Sequence, residues 1–489
     1  MDDLLLQLYK NLKNVMPALC KVKNNNHILT RKTYLFGFSK SFITAFALLV
    51  FTLQLNAENY YATPEGAGVK DGSNWENAIP GSDIQYYINQ IMEPGDKLLL
   101  DDNESFFNDL RISIRNSGSS GNRITIEGVD MGSGYPLIEG GGTSAGVFIY
   151  LQAGVSYLNI KNLKVEDYKY VVESAEAINN PNEYITIDGL DVHKVLDGLY
   201  LRDFRNSTIK NCEFTYHRKR GVRLRKGCRN IEVLDCFTDH NLGDGTVWNR
   251  YPIGFEVAEG RHDEDSLDQT NITFVRCEAR NCVDNDQSYW NGDGFCVNDK
   301  HYDIRFYDCI AYGNADGGWD DKGIGTYYEN CIAVGNGRNF RNWHSSTYVN
   351  CLAASPAKYA DGASSGHSNW WFDGKWGDAV VDLYNCTSHD GGITSSEHVV
   401  KINTAENCIF SESSDDSRVE SGSNNVYTDA DDPNYKNPVD DYEGHPLDAY
   451  NSQKYGPEQG YWYTEGEKPV ISELNVTPDS GDTPLDVNF

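Results

Sequence analysis

Seven aspartates fall within residues 291–323: Asp293, Asp299, Asp303, Asp308, Asp316, Asp320 and Asp321. They are interleaved with residues of core type, among them Phe295, Ile304, Ile310 and Trp319. Carboxylates drawn together repel one another unless they are protonated or neutralised by a cation. Hard oxygen donors from several aspartates suit calcium. The plainer alternative is a set of solvated turn residues. Neither an EF-hand spacing nor a glycine-rich calcium nonapeptide is present, so a metal site would have to be assembled from separate parts of the chain.

The elements that could assemble it are visible as a repeat. Short alternating stretches recur as "YLNIKNLKV", "YITIDGLDV", "STIKNCEF", "IEVLDCFT", "ITFVRCEA", "IRFYDCIA", "TYYENCIA", "STYVNCLA", "VDLYNCTS" and "NTAENCIF". Each ends on a polar residue followed by Leu or Cys, and period-two alternation marks each as a strand. The marker residues run Leu163, Leu190, Cys212, Cys236, Cys277, Cys309, Cys331, Cys351, Cys386 and Cys408. Strands at this period without intervening helices predict an all-β fold, a right-handed parallel β-helix, in which stacked coils bury one continuous core. The marker cysteines then pile into an internal column about 4.8 Å apart. That arrangement suits buried free thiols better than disulfides or a catalytic nucleophile. Asn241, Asn314 and Asn336, each five residues past a marker, predict an internal amide ladder.

A second strand aligns in each coil: "DGLYL", "RGVRL", "IGFEV", "DGFCV", "GGWDD" and "NFRNW". The alignment stacks Tyr200, Arg223, Glu256, Cys296, Asp320 and Arg341 in one column. It stacks Asp197, Arg220, Ile253, Asp293 and Gly317 in another. Asp293, Asp316 and Asp320 therefore come from adjacent coils and converge.

The chain carries 42 Lys+Arg against 72 Asp+Glu, a net charge of −30. Such a surface repels nucleic acid and anionic membranes. Residues 1–57 read as a signal peptide: Arg31, Lys32 and Lys40 precede the apolar run 41–57. A retained anchor is the alternative. Residues 58–411 form the expected β-helix, with "SDIQYYINQIM" as an N-terminal capping helix. Residues 412–467 read as an irregular last coil and polar linker. Residues 468–489 resemble the opening strands of a PKD-type immunoglobulin-like module.

The stretch "NGDGFCV…IRFYDCIAYGNADGGWDD…YYENCIAVGNG" resembles the pectate lyases of polysaccharide lyase family 9, clearly over about 291–341 and diffusely along the other coils. The resemblance implies a calcium ion held by aspartates. Asp293, Asp316 and Asp320 match by motif position, Gly317 replaces the fourth, and Asp321 could take its place. It also implies β-elimination on an acidic, uronate-containing polysaccharide. The family's lysine base is matched by Arg341, and a protonated guanidinium is a poor base. Lys322 and His344 are the fallbacks. Arg220, Arg223 and Arg225 in the basic run 217–229 are candidates for gripping substrate carboxylates, or for balancing neighbouring acids. Trp370 or Trp371 could stack on sugar or lie in the core. The expected partner is thus a polysaccharide, met by a secreted, monomeric chain. Two other readings use the same fold: a glycoside hydrolase with Asp320 and Asp321 as its carboxylate pair, and a non-catalytic glycan-binding adhesin.

Overall fold

The computed structural model describes residues 57–102, 107–241, 252–259, 269–283, 291–357, 367–374, 379–395, 402–411 and 419–428. The signal peptide expected at 1–57 lies outside them except for Ala57, as do residues 429–467 of the expected linker and the module start at 468–489. Among the described residues no helix is long and apolar enough to cross a membrane.

The strands form three parallel sheets of 15, 13 and 11 strands. Each coil contributes one strand to each sheet in turn, which makes a parallel β-helix. "IRFYDCIA" is typical: strand Tyr302–Tyr307 lies in the first sheet, strand Ile310–Tyr312 in the second, and a two-residue corner joins them. The residue before each marker, polar in all but Gly189, sits at that corner with a left-handed backbone. Examples are Asn211 (φ 52°), Asp235 (φ 51°), Asp308 (φ 53°), Asn330 (φ 55°) and Asn385 (φ 55°). Asn and Asp tolerate this region, which accounts for their recurrence. The corner amides also bond from coil to coil outside the barrel, as from Asn350 Nδ2 to Asn330 Oδ1 at 2.7 Å.

Inside, the marker cysteines form the expected column, and all eleven described cysteines are free and buried. Burial pushes the thiols of Cys212, Cys236, Cys277, Cys309 and Cys331 well above their ordinary range, which leaves them inert. Two aromatic columns run beside them. Phe295, Trp319, Phe340 and Trp370 stack face to face with centroids 4.8 Å apart. Phe274, Phe306, Tyr328 and Tyr348 stack at 5.0, 5.2 and 4.5 Å. The columns meet edge to face, as between Phe306 and Trp319, so every ring has both favoured geometries.

The amide ladder runs from Asn314 to Asn336, Asn339 and Asn369 through bonds of 2.8, 2.9 and 2.8 Å, all fully buried. Asn241 is not a member. It occupies the left-handed corner itself (φ 41°) and is exposed. The ladder position is the residue after that corner, as Asn314 follows Gly313.

At the N-terminal end, the capping segment is helical over Gly81–Asp83, Ile84–Tyr86 and Tyr87–Ile91. Ile84 and Ile88 plug the core. At the other end, strands Val419–Ser423 and Val426–Thr428 still pair with the first and second sheets.

Candidate functional site

The third sheet carries the chemistry. Its register pairs Tyr200 with Arg223, Arg223 with Glu256, Glu256 with Cys296, Cys296 with Asp320, Asp320 with Arg341, and Arg341 with Trp371. The neighbouring column pairs Asp197 with Arg220, Arg220 with Ile253, and Ile253 with Asp293, then Gly317 with Arg338 one coil further. Both columns match the sequence alignment. Trp319 and Asp321 flank Asp320 and turn inward, so Asp320 points out, as strand alternation requires. The same alternation puts Trp370 in the core and Trp371 on the outer face.

Asp293, Asp316 and Asp320 do converge, but they arrive with resident cations. Asp316 Oδ1 accepts from Arg338, and Oδ2 accepts from Arg341 Nη1 at 2.7 Å. Asp320 Oδ2 accepts from Lys322 Nζ at 2.9 Å, and Oδ1 accepts from Trp343 Nε1 at 2.6 Å. Asp293 Oδ1 accepts the backbone N–H of Gly317 at 2.8 Å. The Arg341 guanidinium lies 4.8 Å from the ring centres of both Trp343 and Trp371. These rings hold the cation by face-on attraction while excluding water.

Asp321 lies apart, wholly buried. It accepts from the Tyr328 hydroxyl, Asn342 Nδ2 and the Gly323 N–H. His344 is buried, its Nε2 lacks a hydrogen bond, and burial lowers its pKa. No hydrogen bond or ion pair links it to the aspartates among the described residues.

A pocket of about 200 Å³ opens beside the cluster. Asp293, Asp320, Lys322 and Cys296 form one wall; Arg220, Arg223 and Glu256 form the other. Arg220 and Arg223 of the basic run are therefore adjacent to the aspartates. Arg220 holds Glu256 through two bonds, of 2.9 and 3.3 Å. Arg223 Nε approaches Glu256 Oε2 at 2.7 Å, but without hydrogen-bond alignment. Arg225 pairs with Glu259 and the Tyr200 hydroxyl. Charge balance thus accounts for much of this run.

The electrostatics separate the carboxyl groups. Burial, followed by the like charges of Asp320 and Asp316, pushes Asp293 well above the usual carboxylate range. Burial opposes ionisation of Asp320 too, yet Lys322 and Arg341 hold it down at about 2. Burial disfavours the charges on Lys322 and Arg341, but the carboxylates around them win and raise both pKa values. Both are paired with carboxylates in this arrangement.

The donor set was expected to hold calcium. Oxygens of Asp293 and Asp320 and the Cys296 thiol do lie within 4.8 Å of one another, a spacing a metal could use. Calcium takes six to eight oxygens. Of the six oxygens of Asp293, Asp316 and Asp320, five already accept a protein donor. Asp321 faces the core, and the remaining neighbour is a soft thiol. The residues present do not fit calcium.

Alignment alone did not reveal Arg338, Trp343 and Asn298. A signal was there: extending the register by one outward position stacks Asn298, Lys322 and Trp343 in a single column. Lys322 Nζ bonds Asn298 Oδ1 at 3.2 Å within it.

A family model described as "Right handed beta helix region" matches residues 145–350. A comparison with curated proteins finds no match. Among solved structures, the chain is similar to the pectate lyase Pel9A (15% identity, 87% of this chain and 94% of that chain, TM-score 0.42). It is similar to an alginate lyase from Paenibacillus sp. str. FPU-7 (13% identity, 70% and 98%, TM-score 0.44). It is also similar to a polygalacturonase from Erwinia carotovora ssp. carotovora (12% identity, 72% and 90%, TM-score 0.36). These neighbours include both lyases and a polygalacturonase. The fold is a right-handed parallel β-helix.

Proposed function

We propose that the pocket is the active site of a secreted polysaccharide lyase that cleaves a uronate-containing polymer by β-elimination. The observation that carries this reading is the environment of Asp293. Among the described residues its Oδ2 is the one oxygen of the cluster without a hydrogen-bond donor, and Asp293 lines a pocket together with Lys322, Arg220 and Arg223. Burial and the neighbouring carboxylates raise its pKa, the direction that favours proton abstraction by a carboxylate.

In this reading the uronate carboxylate meets Lys322, whose Nζ spends two of its three N–H bonds on Asp320 and Asn298. Arg341, clamped to Asp316, adds positive potential behind it. Neutralising the carboxylate acidifies the C5–H and stabilises the enolate-like charge that develops. Asp293 takes the C5 proton, the C4–oxygen bond breaks, a C4=C5 double bond forms, and the leaving oxygen takes a proton from solvent. Export rests on the apolar run 41–57.

The test is incubation with polygalacturonate, alginate, rhamnogalacturonan and glycosaminoglycans while following unsaturated-uronate absorbance. A rise on one polymer that Asp293→Asn abolishes supports the reading. No rise on any of them, with folded protein, sinks it.

One observation favours a second reading, a glycoside hydrolase. Asp293 and Asp320 approach within 4.8 Å with pKa values driven apart. A protonated acid and an ionised nucleophile about 5 Å apart is the arrangement of a retaining hydrolase. New reducing ends without the absorbance would decide for it.

A further inference from the structure

The aspartate cluster and its cations balance three against three: Asp293, Asp316 and Asp320 with Arg338, Arg341 and Lys322. The balance is built rather than incidental. Asp316 is 1% exposed and spans two guanidiniums. Arg341 is gripped on its other sides by the Trp343 and Trp371 rings. Trp343 in turn donates to Asp320, so the indole that packs Arg341 also orients the neighbouring carboxylate.

The side of the cluster at Gly317 is closed by backbone. Gly317 donates its N–H to Asp293, and a Cβ at Gly317 would lie 2.8 Å from Asp293 Oδ1 and 2.8 Å from Trp319 O. A larger residue there would displace the Asp293 carboxylate. Gly317 and Arg341 thus belong to one arrangement: backbone closes one side of the cluster, and a guanidinium fills the gap between Asp316 and Asp320.

We infer that Arg341, seated between Asp316 and Asp320, is a resident cation standing where a divalent ion would sit, and that this site folds without metal. The inference deepens the reading of the pocket given above. Its metal-binding test is independent of catalysis, so it can fail or stand whichever reaction the pocket performs.

The experiment is calcium titration of chelator-treated, full-length protein, followed by calorimetry and by thermal unfolding. The wild type is expected to show the same melting temperature with chelator and with millimolar calcium chloride. Any calcium heat it gives should persist unchanged in Asp316→Asn. Arg341→Ala empties the seat and frees an Asp316 oxygen. This variant is expected to gain calcium binding and to melt several degrees higher with calcium than without. Arg341→Gln serves if the alanine variant does not fold. Stoichiometric calcium binding by the wild type that Asp316→Asn abolishes would overturn the inference. So would an Arg341 variant that folds and gains no calcium response.

Discussion

Lys322 Nζ lies 2.9 Å from Asp320 Oδ2, two residues along the same strand edge, and Asp320 pairs in register with Cys296 beside Asp293. The ammonium thus compensates the carboxylate beside it while keeping one donor for the pocket. Lys322→Met should lower kcat/KM by about 10²-fold or more, as loss of a positioned charge-stabilising donor does. Lys322→Arg should restore part of it. Steady-state kinetics on the cleaved polymer check both.

Asp320 and Asp293 should respond to pH with opposite signs. Asp320 is depressed to about 2 in the fold. Its contribution, on the order of 2 kcal/mol, is present above the unfolded value near 4 and is lost as pH falls toward 2. Asp293 is raised, so its contribution is full below the unfolded value and is lost as pH rises through the folded one. At pH 7, Asp320→Asn should melt lower than wild type and Asp293→Asn higher. Melting curves of both variants between pH 3 and pH 8 should show the Asp293→Asn difference shrinking toward acid. Two variants shifting in the same direction at pH 7 would refute the assignment.

Trp343→Phe keeps a ring over Arg341 but deletes the 2.6 Å bond to Asp320. Hydrogen bonds to charged groups contribute about 1.5–3 kcal/mol. The variant should therefore unfold at a higher pH on acid titration, because Asp320 loses a partner of its ionised form. Circular dichroism against pH reads that midpoint.

Asn336 accepts from the N–H and Nδ2 of Asn314 and donates to Ala311 O and Asn339 Oδ1, all buried. Asn336→Ala strands several of these groups at once. The expected loss is about 3 kcal/mol, seen as a lower denaturation midpoint. Ser, which keeps an acceptor, should cost less.

Much of this architecture was legible in the chain. Alternation in "IRFYDCIA" and its relatives fixed the strands, and glycine with an apolar follower fixed the register that stacks Cys296, Asp320 and Arg341. What sequence could not reveal was the choice of partner. Period two says that Asp320 points outward and Asp321 inward, but not that Tyr328 and Asn342 wait inside to receive Asp321. Nor does it say that Asp316 will close on Arg338. That outcome depends on how far long side chains reach across neighbouring coils, which spacing along one strand does not encode. The misplacement of Asn241 has a smaller cause: one left-handed residue shifts the inward position by one.

The thiol column has a consequence in time rather than in space. In a solenoid each coil touches only its neighbours, so the stack can open from an end without opening in the middle. Cys408, Cys386 and Cys351 follow one another inward from the C-terminal side, each sealed by the next coil. A thiol reagent that reacts only with exposed sulfur would then mark them in order, the outermost first. Mass spectrometry of the partly labelled chain would turn the column into a clock, one tick per coil lost.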